Sequence, residues 1–319
     1  VKRARILTIR LPNPYFEKEN NSYLIDAGEL ALIDTGIDTP ESLSALQGAL
    51  SQHGYKLEAI QKIFLTHKHM DHFGLARRLQ DISGTEVYIH EDDYEGVARF
   101  EELYDHINRL YLEKMLQWGI PQQLIDIIAI RSKFAQFGRS VPADTLTDDQ
   151  IIPIGDAELR VIHTPGHTQG SVCFLVEDAL FTGDHLLADY TPNIGATEVT
   201  ATGMLPKYRN SLRRIRKFSG LRILPGHGVP ITDLSRRIDT ILSHHEERQE
   251  RILNILADGQ LRTVYEIALS LFGTMREHHA LLGSGEVQAH LEVLERERLV
   301  KRREDYRYYS PPRTSTSTT

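Results

Sequence analysis

Over its first part the chain places apolar residues in short runs broken by turn residues: Ile6 to Leu11, Ser22 to Asp26, and Ala31-Leu32-Ile33 entering Asp34-Thr35-Gly36. Runs of that length bounded by Gly, Asn and Asp predict strands. From Pro40 to His53 the spacing turns helical, with Leu43, Leu46 and Leu50 on one side and Gly54 as a stop, before Ile63-Phe64-Leu65 returns to a strand. After residue 150 the order recurs, with strands at 158–163, 171–176 and 179–183, a helix at about 206–218 and a strand at 221–224. The halves also match in detail. Leu32-Ile33-Asp34-Thr35-Gly36 parallels Leu180-Phe181-Thr182-Gly183-Asp184, and Leu65-Thr66-His67 parallels Leu224-Pro225-Gly226-His227. The pattern predicts an α/β protein of two related halves.

Residues 92–147 lie between the halves. Phe100, Leu103, Tyr104, Ile107, Leu110, Tyr111, Met115 and Trp118 recur at three- and four-residue spacing, predicting one amphipathic helix that ends near Gly119. Pro121 suits the first turn of a second helix carrying Leu124, Ile127, Ile128, Phe134 and Phe137. Placed between the halves, the insertion is expected to act as a lid whose aromatic residues wall an apolar pocket. From about residue 236 the texture becomes helical and charged: a helix from Arg236 to Leu256, a capping box at Thr263-Val264-Tyr265-Glu266, a helix from Ser284 to Arg298 with Val287, Leu291 and Leu294 inward, and a hairpin around Glu304-Asp305. Residues 311–319 have the composition of a disordered tail.

The chemistry concentrates in Thr66-His67-Lys68-His69-Met70-Asp71-His72, three imidazoles and a carboxylate directly after an apolar run. Imidazole nitrogen and carboxylate oxygen are ligands of borderline divalent ions, and so dense a cluster repels itself when protonated unless a cation organises it. Ligands at i and i+2 point the same way in an extended segment while the next pair is turned by a bend, so the string suits two adjacent ions. Three further apolar runs end in candidate ligands: His163-Thr164-Pro165-Gly166-His167, Thr182-Gly183-Asp184 and Pro225-Gly226-His227.

These residues resemble the metallo-β-lactamase superfamily of hydrolases, whose His-x-His-x-Asp-His signature and later His, Asp and His are met at every position over roughly residues 5–235. The resemblance implies a four-layer αββα sandwich in which His67, His69 and His167 hold one metal, Asp71, His72 and His227 a second, and Asp184 bridges them. Asp71 and Asp184 are then the candidate catalytic carboxylates, and Asp34 is a loop-fixing carboxylate rather than a ligand. True β-lactamases of the superfamily have a cysteine at the bridging position. Here Cys173 falls inside an apolar strand and reads as core. The expected cofactors are two divalent ions, zinc foremost, with manganese and iron accepted by the same donors. A hydroxide shared between the metals would attack the substrate.

Composition bounds the partners. With 319 residues, 40% hydrophobic and 25% charged, the chain accommodates a catalytic domain at 1–235 and a smaller domain at 236–310. A net charge of −7 gives no overall attraction to nucleic acid or an anionic membrane surface. One cysteine forms no intrachain disulfide, and no run reaches the ~20 apolar residues of a membrane span, so the expectation is a soluble cytoplasmic protein. The tail resembles the winged helix of a subset of the superfamily that includes mitochondrial β-lactamase-like endoribonucleases. Residues 236–310, however, carry 12 Lys plus Arg against 13 Asp plus Glu, so a packing or dimer-forming role is favoured over nucleic-acid binding. The leading expectation is hydrolysis of a small-molecule ester, thioester or lactone, with Tyr190, Asn193 and Tyr208 as candidate substrate contacts. The alternative is a ribonuclease or phosphodiesterase, supported by Arg213, Arg214, Arg216 and Lys217; an iron-dependent persulfide dioxygenase ranks below it.

Overall fold

The computed structural model describes residues 3–14, 18–131, 137–196 and 198–311. Two sheets carry the fold. The first runs β1 (Arg5–Asn13), β2 (Lys18–Asp26), β3 (Leu30–Ile33), β4 (Lys62–Phe64), β5 (Glu86–His90) and β6 (Asp144–Leu146) in sequential order, antiparallel through β3 and parallel beyond it. The second contains β7 (Ile151–Ile154), β8 (Ala157–His163), β9 (Val172–Val176), β10 (Ala179–Gly183) and β11 (Arg222–Pro225), antiparallel except for the β10–β11 pair. Each half therefore starts as an antiparallel meander and adds parallel strands through helical crossovers, the repeat legible in the sequence.

Successive residues of a strand point to opposite faces, and here both faces are covered. Tyr23, Ile25, Ile33 and Phe64 of the first sheet meet Leu159, Val161, Phe174 and Phe181 of the second in one apolar layer. Their neighbours Leu24, Leu32 and Ile63 point the other way, onto Leu46 and Leu50 of α1 (Pro40–Gln52) and Leu79 of α3 (Ala76–Ser83), which follows the short α2 (Met70–Phe73). Burying each such side chain contributes about 1.5–3 kcal/mol. The start of α1 is set by Thr39, whose hydroxyl accepts the Ser42 N–H at 3.2 Å, and by Pro40 in the first turn. Helix α3 and strand β5 were not foreseen, although Leu75, Leu79 and Ile82 fall at helical spacing and Val87 and Ile89 alternate.

By packing, the chain forms two compact units. One comprises the described residues of Val1–His106, Lys133–Pro192 and Lys207–Ile238, and the other those of Ile107–Ser132, Asn193–Pro206 and Asp239–Thr319. These boundaries do not coincide with a division at 235, because segments from the middle of the chain share a core with its C-terminal part. That core gathers Met115 and Trp118 of α5 (Phe100–Gln117 and the residue after it), Ile125 and Ile128 of α6 (Gln122–Arg131), and Ile252, Val264, Leu291 and Tyr308. After α4 (Tyr94–Ala98), Phe100 packs instead on Phe73 at 5.3 Å within the first unit. The end of the insertion's stripe, at Met115 and Trp118, is thus core, while Phe100, Leu103, Tyr104, Ile107 and Leu110 are half-buried. Phe134 and residues 312–319 lie outside the described residues.

The remaining helices are α7 (Met204–Ile215), α8 (Leu234–Ile255), α9 (Val264–Phe272) and α10 (His278–Arg296), followed by a hairpin of β12 (Lys301–Arg302) and β13 (Tyr308–Tyr309). The capping box at α9 forms as read: Thr263 Oγ1 accepts the Glu266 N–H and Glu266 Oε2 accepts the Thr263 N–H at 2.7 Å. Helix α10 begins six residues earlier than expected; no side-chain cap marks its start.

Candidate metal centre

Each expected ligand sits where a strand of the first unit ends. The segment after β4 delivers His67 and His69, and the first turn of α2 adds Asp71 and His72. The turn after β8 delivers His167, the end of β10 delivers Asp184, and the turn after β11 delivers His227. Backbone amides and side chains at strand ends are free of the ladder, which is why open α/β sheets gather polar sites there.

The seven side chains converge. His69 Nδ1 lies 3.0 Å from both His67 Nε2 and His167 Nε2. In a second group, His72 Nε2 lies 3.3 Å from His227 Nε2, and Asp71 Oδ2 lies 3.7 Å from the former and 3.4 Å from the latter. Asp184 joins the groups: Oδ1 is 3.4 Å from His72 Nε2 and 3.5 Å from His227 Nε2, while Oδ2 is 3.7 Å from His167 Nε2. Donor atoms at such separations fit around ions whose bonds to nitrogen and oxygen are about 2.0–2.2 Å.

Polar partners outside the cluster fix the rings. Asp34, at φ +55°, accepts His72 Nδ1 at 2.9 Å and the Thr66 N–H at 2.8 Å. The Thr66 hydroxyl stands 2.7 Å from Asp34 Oδ2 and 3.0 Å from His67 Nδ1, so it donates to the carboxylate and accepts from the ring. His227 Nδ1 donates to the Glu19 carbonyl at 2.8 Å. In all three rings Nε2 is left bare toward the cluster, the tautomer a metal ligand requires. Asp34 has the loop-fixing place expected of it. Asn13 and Asn20 were missed: Asn20 Nδ2 donates to Asp71 Oδ2 at 3.2 Å and Asn13 Nδ2 donates to Asn20 Oδ1 at 2.7 Å. Asn13 ends β1 and Asn20 lies in the polar stretch that opens β2, where nothing in the sequence singles either out. Gly226 clears the middle of the site, since a Cβ there would come within 2.7 Å of both Asp184 Oδ1 and His72 Cε1.

Charge divides the cluster. Burial, and then the neighbouring imidazoles, hold His67 and His69 well below the usual histidine range. Burial also opposes charge on His72 and His227, but the carboxylates win: Asp184, Asp71 and Asp34 hold His72 well above its ordinary value, and Asp184 and Asp71 push His227 up to about 10. Asp184 stays well below the carboxylate range against its own burial, because His227 and His72 face it. The two buried carboxylates thus demand positive charge beside them, which protonated His72 and His227 supply unless cations take their place and those rings coordinate through Nε2. A pair of dications meets that demand.

Two of the three expected substrate contacts are engaged otherwise. Tyr208 is fully buried and its hydroxyl donates to the His185 carbonyl at 3.1 Å. Asn193 belongs to the second unit, where Nδ2 donates to the Leu282 carbonyl at 3.0 Å. Tyr190 is exposed. Cys173 is buried in β9, and burial pushes its thiol up to about 12, so it is core as read.

The family model of the Metallo-beta-lactamase superfamily matches residues 16–227. A probable metallo-hydrolase of Bacillus subtilis, YqjP, is 28% identical over 307 residues, 92% of this chain and 93% of that protein. An atrochrysone carboxyl ACP thioesterase of Aspergillus chevalieri is 25% identical over 286 residues, 86% of this chain and 75% of that protein. The crystal structure of a metallo-beta-lactamase family protein from Thermus thermophilus matches with a TM-score of 0.83 at 30% identity, covering 96% of this chain and 98% of that one.

Proposed function

This chain belongs to the metallo-β-lactamase superfamily and is a metallo-hydrolase, and on that premise we propose that it cleaves small-molecule acyl substrates, a thioester foremost, with esters and lactones in the same class. The observation that carries the reading is Asp184, whose two oxygens face one imidazole of the first group and two of the second. His67, His69 and His167 would hold one divalent ion, Asp71, His72 and His227 another, and Asp184 would touch both. When bound, such a pair lowers the pKa of water toward neutrality and polarises the acyl oxygen, most simply as zinc. The protein's part is positional. Asp34, Thr66 and the Glu19 carbonyl hold three rings with Nε2 inward, and Asn20 orients Asp71 Oδ2. None of the seven residues is a serine, threonine or cysteine, and water held by the ions needs no side-chain nucleophile. The likeness to an acyl-carrier-protein thioesterase supports a thioester over a phosphodiester.

The ribonuclease reading draws on the basic stretch Arg213 to Lys217, but part of that charge is already paired. Arg214 Nη1 lies 2.9 Å from Asp148 and Nη2 lies 3.6 Å from Asp149. Three helices and a hairpin at 234–309 follow the order of a winged helix, and we read them as a packing element. Two of the hairpin's four basic residues face acids, Arg302 on Glu295 at 3.7 Å and Arg307 on Asp305. The metal-loaded protein should turn over acyl thioesters at least about tenfold faster than bis-p-nitrophenyl phosphate or single-stranded RNA, and Asp184→Ala should abolish it. RNA cleavage lost in Asp184→Ala, with acyl substrates untouched, would reverse the assignment.

A further inference from the structure

The second unit holds a polar cluster that the proposed hydrolysis does not use. His245 on α8 meets Glu286 and His290, one turn apart on α10, and all three are buried. Residues at i and i+4 share a helix face, and this one otherwise carries Val287, Leu291 and Leu294 into the core. His245 Nδ1 lies 3.3 Å from His290 Nε2, and Glu286 Oε1 lies 3.8 Å from the first and 3.7 Å from the second. The point equidistant from these three atoms is about 2.1 Å from each, the bond length of a zinc-like ion to imidazole nitrogen and carboxylate oxygen. We propose that His245, Glu286 and His290 form a separate site for one divalent first-row transition ion, tying α8 to α10.

The surroundings meet the further requirements of such a site. Glu286 is held at both oxygens: Arg248 donates to Oε1, while Asn193 Nδ2 at 3.4 Å and the Ile194 N–H at 3.5 Å reach Oε2. A carboxylate has about four lone-pair directions, so Oε1 keeps one for an ion while Arg248 occupies the other. The guanidinium charge on the shared oxygen weakens the site relative to one built on two carboxylates. Two imidazoles and one carboxylate select for zinc, cobalt or iron over magnesium or calcium. A cavity of about 450 Å³, lined by Arg248, Phe272, Arg276, His279 and Glu286 among others, lies against the carboxylate.

The test counts ions in the full-length protein, loaded with zinc and passed over a weak chelator. His290→Leu should hold one equivalent fewer than the parent and keep its hydrolytic rate within about twofold. Glu286→Gln preserves side-chain size, guards against a folding failure in the leucine variant, and should lose the same equivalent. His67→Ala/Asp184→Ala should retain one equivalent, and with cobalt should keep the visible absorption band of a nitrogen–oxygen site. Either C-terminal variant binding as many ions as the parent overturns the proposal, as does complete loss of metal from the His67→Ala/Asp184→Ala protein. Because the two sets of variants remove different ions, failure of the hydrolytic assignment leaves this readout intact.

Discussion

Asp34 Oδ2 accepts the Nδ1–H of His72 at 2.9 Å, and that one bond decides which nitrogen of the ring faces Asp71 and Asp184. In Asp34→Asn the amide presents a donor as well as an acceptor, so the tautomer is no longer fixed and the Thr66 contacts weaken. Metal affinity should fall about 10–100-fold, read by equilibrium titration against a chromogenic chelator. Unchanged affinity would mean that the ring is held by packing alone.

Gly226 offers a steric test. Its missing Cβ leaves the space in which Asp184 Oδ1 and His72 Cε1 approach, each 2.7 Å from where that carbon would be. Gly226→Ala should displace both by a fraction of an ångström to an ångström and cost about 10²-fold in kcat/KM, with the circular dichroism spectrum unchanged.

Trp118 separates core from lid. It is 4% exposed, in an apolar cluster with Ile252, Val264 and Leu291. Trp118→Ala should destabilise the protein by about 3–5 kcal/mol in denaturant unfolding while leaving the ranking of substrates as it was. A changed ranking at unchanged stability would make it part of a lid.

His90 gives the protein an acid-side slope. Burial, and then the charge of His163 stacked on it at 3.9 Å, push His90 down to about 4, against ~6.5 in an unfolded chain. Between those values the unfolded chain takes up a proton that the native one refuses. Stability from this group is therefore whole above pH ~6.5 and is lost as pH falls toward 4. His90→Gln should flatten the slope by about 2 kcal/mol, a figure reduced for partial solvation of the stacked pair, as seen in urea midpoints from pH 7 to 4.

The candidate ligands that converge were legible in the sequence because coordination leaves few chemical options. His67, His69, Asp71 and His72 are adjacent, and His167, Asp184 and His227 each follow an apolar run at a Gly-containing turn. The internal repeat was legible for a similar reason, since a strand that ends in Asp-Thr-Gly or Thr-Gly-Asp shows its turn chemistry locally. What escaped was long-range. Asn20 contacts Asp71 fifty-one positions away, and an asparagine in a strand carries no mark of the carboxylate it will meet. The stripe from Phe100 to Trp118 announced a buried face correctly, but periodicity says nothing about which partner buries it. Phe73 meets Phe100 at one end of the stripe, and residues of the C-terminal helices bury Met115 and Trp118 at the other.

Strand β2 is fastened to the turn that carries His227. The Asn21 N–H reaches the Gly226 carbonyl at 2.7 Å, and the Tyr23 hydroxyl reaches the Pro225 carbonyl at 2.6 Å. The earliest strands of the chain are thereby joined to the last of the seven candidate ligands. During synthesis the imidazoles at 67–72 leave the ribosome long before this latch can close, so a nascent chain offers a loose, open handful of donors. All seven candidate ligands can consequently meet only once the chain has been made through residue 227, and any product truncated ahead of that residue lacks the last of them.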